Sequence, residues 1–188
     1  MVKERATEHV VLGILMPGPM HGYEIRKVLD QRLGDVWRVS TSRLYLLLQN
    51  LETEGFLTSQ TTSETNRPPK KIYRITLEGR EHFLSWVHTP AKHMRELRYE
   101  FIVKLFFLKH LGLKGEIDLI DAQIKVLKCL REKVDDRRAN GEDPFLKVVR
   151  AFRRSQLDAC LAWLQNEVRP FQENLEGPNS TDYPFQCS

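Results

Sequence analysis

No apolar run in this chain of 188 residues approaches the ~20 residues that a membrane-spanning helix needs. The N-terminus, MVKERATEHV, carries charge without a long apolar core, so it does not read as a secretory signal. Cysteine is scarce: Cys129, Cys160 and Cys187 match no zinc or disulfide spacing, which fits a reduced, cytoplasmic protein. Also missing are the GxSxG elbow, the Walker loop and the HExxH pair, while Glu132, Asp135 and Asp136 read as a solvated helix face. His82, His88, His93 and His110 have no thiol or carboxylate beside them at ligand spacing, so no metal, no cofactor and no enzyme is expected. The formal charge of +4 permits a polyanionic partner without demanding one.

What is present falls into two halves with different periodicity. Val10, Val11, Ile14 and Leu15 form one face of a first helix, which Pro17-Gly18-Pro19 stops. A second helix turns Tyr23, Ile25, Val28 and Leu29 inward and ends near Gly34. Ser40 or Thr41 caps a third, whose Leu44, Leu47, Leu48 and Leu51 recur at helical spacing before Gly55 ends it. The period then shortens: residues 56–61 and 71–76 read as two strands, and a fourth helix follows Thr76. This order, helix, helix, helix, hairpin, helix, is that of a winged helix-turn-helix over residues 1–90. Residues 91–171 are wholly helical in pattern, with apolar steps of three and four through Phe101, Ile120 and Phe152, and three such helices suggest a dimerisation domain. Residues 172–188 lose periodicity and read as a tail. The fold class expected is therefore mostly α, with an N-terminal winged helix and C-terminal antiparallel helices forming a dimer.

A helix that enters the major groove needs donors on the side away from its own domain. On the third helix those are Thr41, Ser42, Arg43, Tyr45, Gln49 and Asn50. Arg43 suits a guanine edge and Gln49 or Asn50 an adenine edge, whereas Ser42 and Tyr45 suit phosphate oxygens. A merely solvated face would look similar. The stretch Arg67-Pro68-Pro69-Lys70-Lys71 adds weight, because two prolines stiffen the base of the turn while Arg67, Lys70 and Lys71 can each neutralise a phosphate. Lysine and proline on an edge strand also discourage aggregation, and both roles can hold together.

Several separated motifs occur in the order of a known family. Gly13-Ile14-Leu15, Gly18-Pro19-Met20-His21-Gly22-Tyr23-Glu24-Ile25, Leu44-Tyr45, Glu52-Thr53-Glu54-Gly55 and Arg67 to Tyr73, with Thr76 and Gly79, resemble the PadR family of transcriptional regulators over residues 8–88. Glu100 to Phe106 is similar to the start of its helical C-terminal region. The resemblance implies a dimeric winged helix that mostly represses by operator binding, with Gly22 and Tyr23 opening the second helix, His21 and Tyr23 among the DNA-binding residues, Tyr45 on the recognition helix and Pro68 to Tyr73 in the wing. Ser42-Arg43 and Leu46 depart from the usual Gly-Thr and Pro of relatives, so no known operator transfers. Some relatives respond to phenolic acids or flat aromatic drugs. Trp86, Arg98, Phe101, Phe106 and Trp163 are the candidates here for an aromatic effector, although rings at helical spacing also serve simply as core. A rival of another class is a winged-helix scaffold that binds proteins and no DNA.

Overall fold

Capping side chains set the element boundaries in the computed structural model, which describes residues 2–62, 70–136 and 143–170. Helix α1 (Val2–Leu15) stops before the proline pair, and a two-residue strand β1 (Met20–His21) leads directly into α2 (Gly22–Arg32). Ser40, not Thr41, is the N-cap of α3 (Thr41–Thr53), its hydroxyl accepting from the Arg43 amide at 3.3 Å. Gly55 follows in the left-handed region at φ 81°, where a side chain would be strained. Strands β2 (Leu57–Thr62) and β3 (Lys70–Ile75) pair antiparallel, Ser59 opposite Tyr73 and Thr61 opposite Lys71. Thr76 caps α4 (Leu77–Val87) through the Gly79 amide at 3.0 Å.

The expected hairpin is thus the larger part of a three-stranded sheet of order β1-β3-β2, with Met20 opposite Tyr73 and His21 opposite Ile72. Two residues are too few to show a strand period, so β1 is invisible to pattern reading. Gly79 is required at the joint between wing and α4: a Cβ there would lie 2.2 Å from the Phe56 carbonyl oxygen, which also accepts from the Thr76 amide at 3.1 Å.

Contacts divide the chain into two compact units, residues 1–89 with 99–113, and residues 90–98 with 114–188. In the first, Val10, Val11, Leu12, Ile14, Leu15, Leu44, Leu48 and Leu51 are fully or nearly fully buried. Phe83 of α4 meets Phe107 edge-on at 5.3 Å, and α1 passes over both through Gly13, whose added Cβ would come within 2.6 Å of the Phe83 ring. Phe107 belongs to α6 (Ile102–His110), which continues from the short α5 (Met94–Glu96) through a π-helical turn, Leu97–Phe101. Phe56, His82, His9 and Trp86 stack in succession at 4.6, 4.5 and 4.9 Å. Lys104 closes that ladder: its buried ammonium lies 4.7 Å from the Trp86 centroid and donates to the Thr89 carbonyl at 2.7 Å.

In the second unit α7 (Glu116–Asp135) and α8 (Pro144–Trp163) run antiparallel, since Arg131 pairs with Asp158 near one end and Arg169 with Asp121 at 2.8 Å near the other. Arg154 adds a bond to Asp135 at 3.2 Å, and a second π-helical turn, Leu164–Val168, extends α8. Gln123 is buried and satisfies both backbone groups of Ala91, at 2.7 and 3.0 Å. Leu157, Leu164 and Val168 are buried, yet Phe145, Val148 and Phe152 on the same helix are 69%, 66% and 62% exposed.

Candidate nucleic-acid interface

Successive residues of a helix turn by about 100°, so burying Leu44, Leu47, Leu48 and Leu51 of α3 points Ser42, Leu46 and Gln49 directly outward. Arg43 and Asn50 lie on one flank of that exposed face, Thr41 and Tyr45 on the other. All six polar residues expected on this helix are exposed. Thr41 has a local task, because its hydroxyl accepts from Arg26 Nη1 at 3.2 Å. The same guanidinium donates to the Val39 carbonyl at 2.6 Å and to Asp30 at 2.6 Å, so Arg26 fixes the entrance of α3 against α2. Bonds reaching 13 and 15 residues along the chain leave no local sequence signal for this role of Arg26.

On the Tyr45 flank a cleft of about 310 Å³ opens between the start of α2, α3 and the wing. Tyr23 stands on its rim, 54% exposed and not inward as the helical period suggests, because its ring is amphipathic and lies against other side chains outside the core. His21 stacks on it at 5.5 Å, with 13° between the ring planes, and the Lys70 ammonium lies 5.4 Å from the Tyr23 centroid. His21 Nδ1 sits 3.1 Å from the Lys71 carbonyl oxygen, a contact that needs the proton on that nitrogen. Tyr45 covers Gly22 so closely that a Cβ there would fall 2.8 Å from the ring. Tyr73 lies beneath, buried, and burial raises its hydroxyl pKa, opposed by the charge of Lys71.

Lys71 is also tied to α3: its Nζ lies 3.3 Å from Glu52 Oε2, while Glu52 Oε1 accepts from the Ser59 hydroxyl at 2.5 Å. The Ser59 bond, helped by Lys71 and opposed by partial burial, holds the Glu52 carboxyl below its ordinary pKa. Arg67, the third cation expected of the wing, lies outside the described residues. Of the residues expected at an aromatic effector, Trp86, Phe101 and Phe106 belong to the first compact unit and Arg98 and Trp163 to the second. Phe101 is fully buried, Phe106 stacks on His110 at 4.9 Å, and Trp86 ends the ring ladder.

Three helices whose third presents polar side chains beside a basic antiparallel hairpin define a winged helix-turn-helix. Residues 11–84 match the model of the transcriptional regulator PadR-like family. The negative transcriptional regulator PadR of Bacillus subtilis (strain 168) is 30% identical over 123 residues, covering 64% of this chain and 66% of the relative. A probable transcriptional regulator of Mycobacterium tuberculosis, Rv1176c, is 28% identical over 90 residues, 48% of each chain, so the alignments span under two thirds and about half of these relatives. The crystal structure of Bacillus subtilis PadR in complex with operator DNA superposes with a TM-score of 0.46 at 23% identity, over 87% of this chain and 98% of that one. The chain is similar to PadR-type transcriptional regulators.

Proposed function

We propose that this chain binds duplex DNA as a homodimer and represses transcription from a pseudo-palindromic operator. One observation carries the reading: the exposed polar face of α3 lies beside the cleft rimmed by Tyr23, Tyr45 and Lys70. A major groove takes an α-helix, and the cleft offers hydroxyls and a cation where the flanking backbone would run. Arg43, Gln49 and Asn50 read bases, and Leu46, 52% exposed at the centre of the outward face, suits a thymine methyl. Ser42, Tyr45, Tyr23, His21 and Lys70 hold phosphates, and Arg67 extends that set from the wing turn. The apolar stripe of α8 serves the two-fold contact of the 91–171 dimerisation region, the cytoplasm is the compartment, and repression follows the name of the Bacillus relative. Binding of a small aromatic effector would release the DNA.

The test is selection of the purified protein against a random duplex library at near-physiological salt. An inverted repeat with half-sites about 34 Å apart is the expected result. No enrichment by folded protein overturns the reading and favours a protein partner for α3. Arg43→Ala should then relax the preference at one base pair of each half-site, a loss of about 1–3 kcal/mol in discrimination.

A further inference from the structure

The wing leaves α3 through Glu54 and Gly55, and the root of β2 is fixed there by the Phe56 amide donating to the Leu51 carbonyl at 2.9 Å. The Gly55 carbonyl also accepts from the Thr76 hydroxyl at 2.8 Å and the Phe56 carbonyl from the Thr76 amide at 3.1 Å, so the root of both strands is held at the end of α3. Glu52 supplies a link farther out. Its two oxygens engage different strands, Ser59 on β2 and Lys71 on β3. In the observed register Ser59 opposes Tyr73 and Thr61 opposes Lys71, so these four side chains share one face of the sheet. Glu52 therefore bridges that face diagonally, over both strands at once.

We propose that Glu52 is a positioning residue for DNA recognition: it sets the angle between wing and recognition helix and keeps Lys71 out of the count of phosphate contacts. This rests on the DNA-binding reading above. The lysines then divide the work, with Lys70 over the Tyr23 ring at the cleft and Lys71 turned back to the last turn of α3. An exposed ion pair contributes little to stability, so loss of Glu52 shifts geometry and charge without unfolding the domain.

The experiment measures binding to the selected operator and to random duplex across a salt series for wild type, Glu52→Gln, Lys71→Met and the double variant. Glutamine can still accept from Ser59 but cannot hold the ammonium. Glu52→Gln should steepen the log-log salt slope by roughly 0.9, one added phosphate contact, tighten random-duplex binding and lower the operator-to-random ratio. Lys71→Met alone should lower that ratio without steepening the slope, and in the Glu52→Gln background it should cancel the added 0.9. A Glu52→Gln protein with wild-type slope and ratio, or a Lys71→Met protein whose slope flattens by roughly 0.9, overturns the assignment. Carbon NMR of the Glu52 carboxyl separates this from failure of the DNA reading. If the tether exists, its titration moves upward in Lys71→Met whether or not DNA is bound; no movement removes the tether. Wild-type protein that holds no duplex at any salt overturns the recognition role together with the DNA reading.

Discussion

Gly13 and Gly22 are both crowded by rings, but the two rings differ in their freedom to move. A Cβ at Gly13 meets Phe83 and Phe107, each essentially buried, at 2.6 and 2.7 Å. The ~1 kcal/mol gain in helix propensity from alanine is outweighed by overpacking of about 1–3 kcal/mol, so Gly13→Ala should lower the melting temperature. A Cβ at Gly22 meets Tyr45, whose ring is 46% exposed and can swing aside. Gly22→Ala should melt almost as the wild type does yet bind operator about tenfold more weakly, the worth of one hydrogen bond to a charged group. Parallel melting curves and binding isotherms check the pair. His110 offers a pH test: burial first, then the nearby charge of Arg32, lowers its pKa in the folded state. The unfolded chain then takes up the proton first, so the contribution is full above pH ~6.5 and is lost as the pH falls from there toward the folded value. His110→Gln should flatten the stability profile over that window in thermal melts. At this scale the sequence was legible in part. The leucines of α3 and its exposed polar set were readable from period, whereas Tyr23 was assigned inward because a ring counts as apolar, and Arg26 and Glu52 act through partners distant in sequence.

Elements were more legible than individual contacts, because caps and breakers are local chemistry. Ser40, Gly55 and Thr76 stand where the helix ends were expected, since a hydroxyl that accepts an amide proton, or a glycine at positive φ, needs no tertiary context. Strand β1 and the π-helical turns gave no such signal: the first is two residues long, and the second keeps apolar spacing close to that of an α-helix. A test at the same scale concerns the wing. Lys70→Met should reduce the salt slope of operator binding by roughly 0.9 and weaken all duplexes almost uniformly, because a phosphate contact carries no sequence information. An unchanged slope would remove Lys70 from the backbone contacts.

For the whole molecule, periodicity showed that residues 94–168 are helical but not what each helix packs against. Contacts group residues 99–113, including α6, with the first compact unit, a pairing that depends on Phe107 meeting Phe83 and on Lys104 reaching Thr89. The apolar spacing of α8 likewise could not say which side chains would be covered. Phe145, Val148 and Phe152 are spaced by three and four residues and exposed, a stripe suited to a second copy. The combined Val148→Asp and Phe152→Asp substitutions should give a folded monomer by sedimentation, with operator affinity down at least about a hundredfold through lost bivalency. A dimer that survives them would place the two-fold contact elsewhere.

The two-residue strand β1 has a kinetic consequence. Because β1 pairs with Ile72 and Tyr73 of β3 and runs straight into α2, β3 is flanked on both sides at those two residues, and fraying of the wing past Tyr73 also releases β1 at the start of α2. Hydrogen exchange should therefore report a single opening event shared by Ser59, Tyr73 and the start of α2, while Thr61 and Lys71 near the tip exchange sooner. Recognition helix, wing and second helix would then be presented to DNA as one preorganised body.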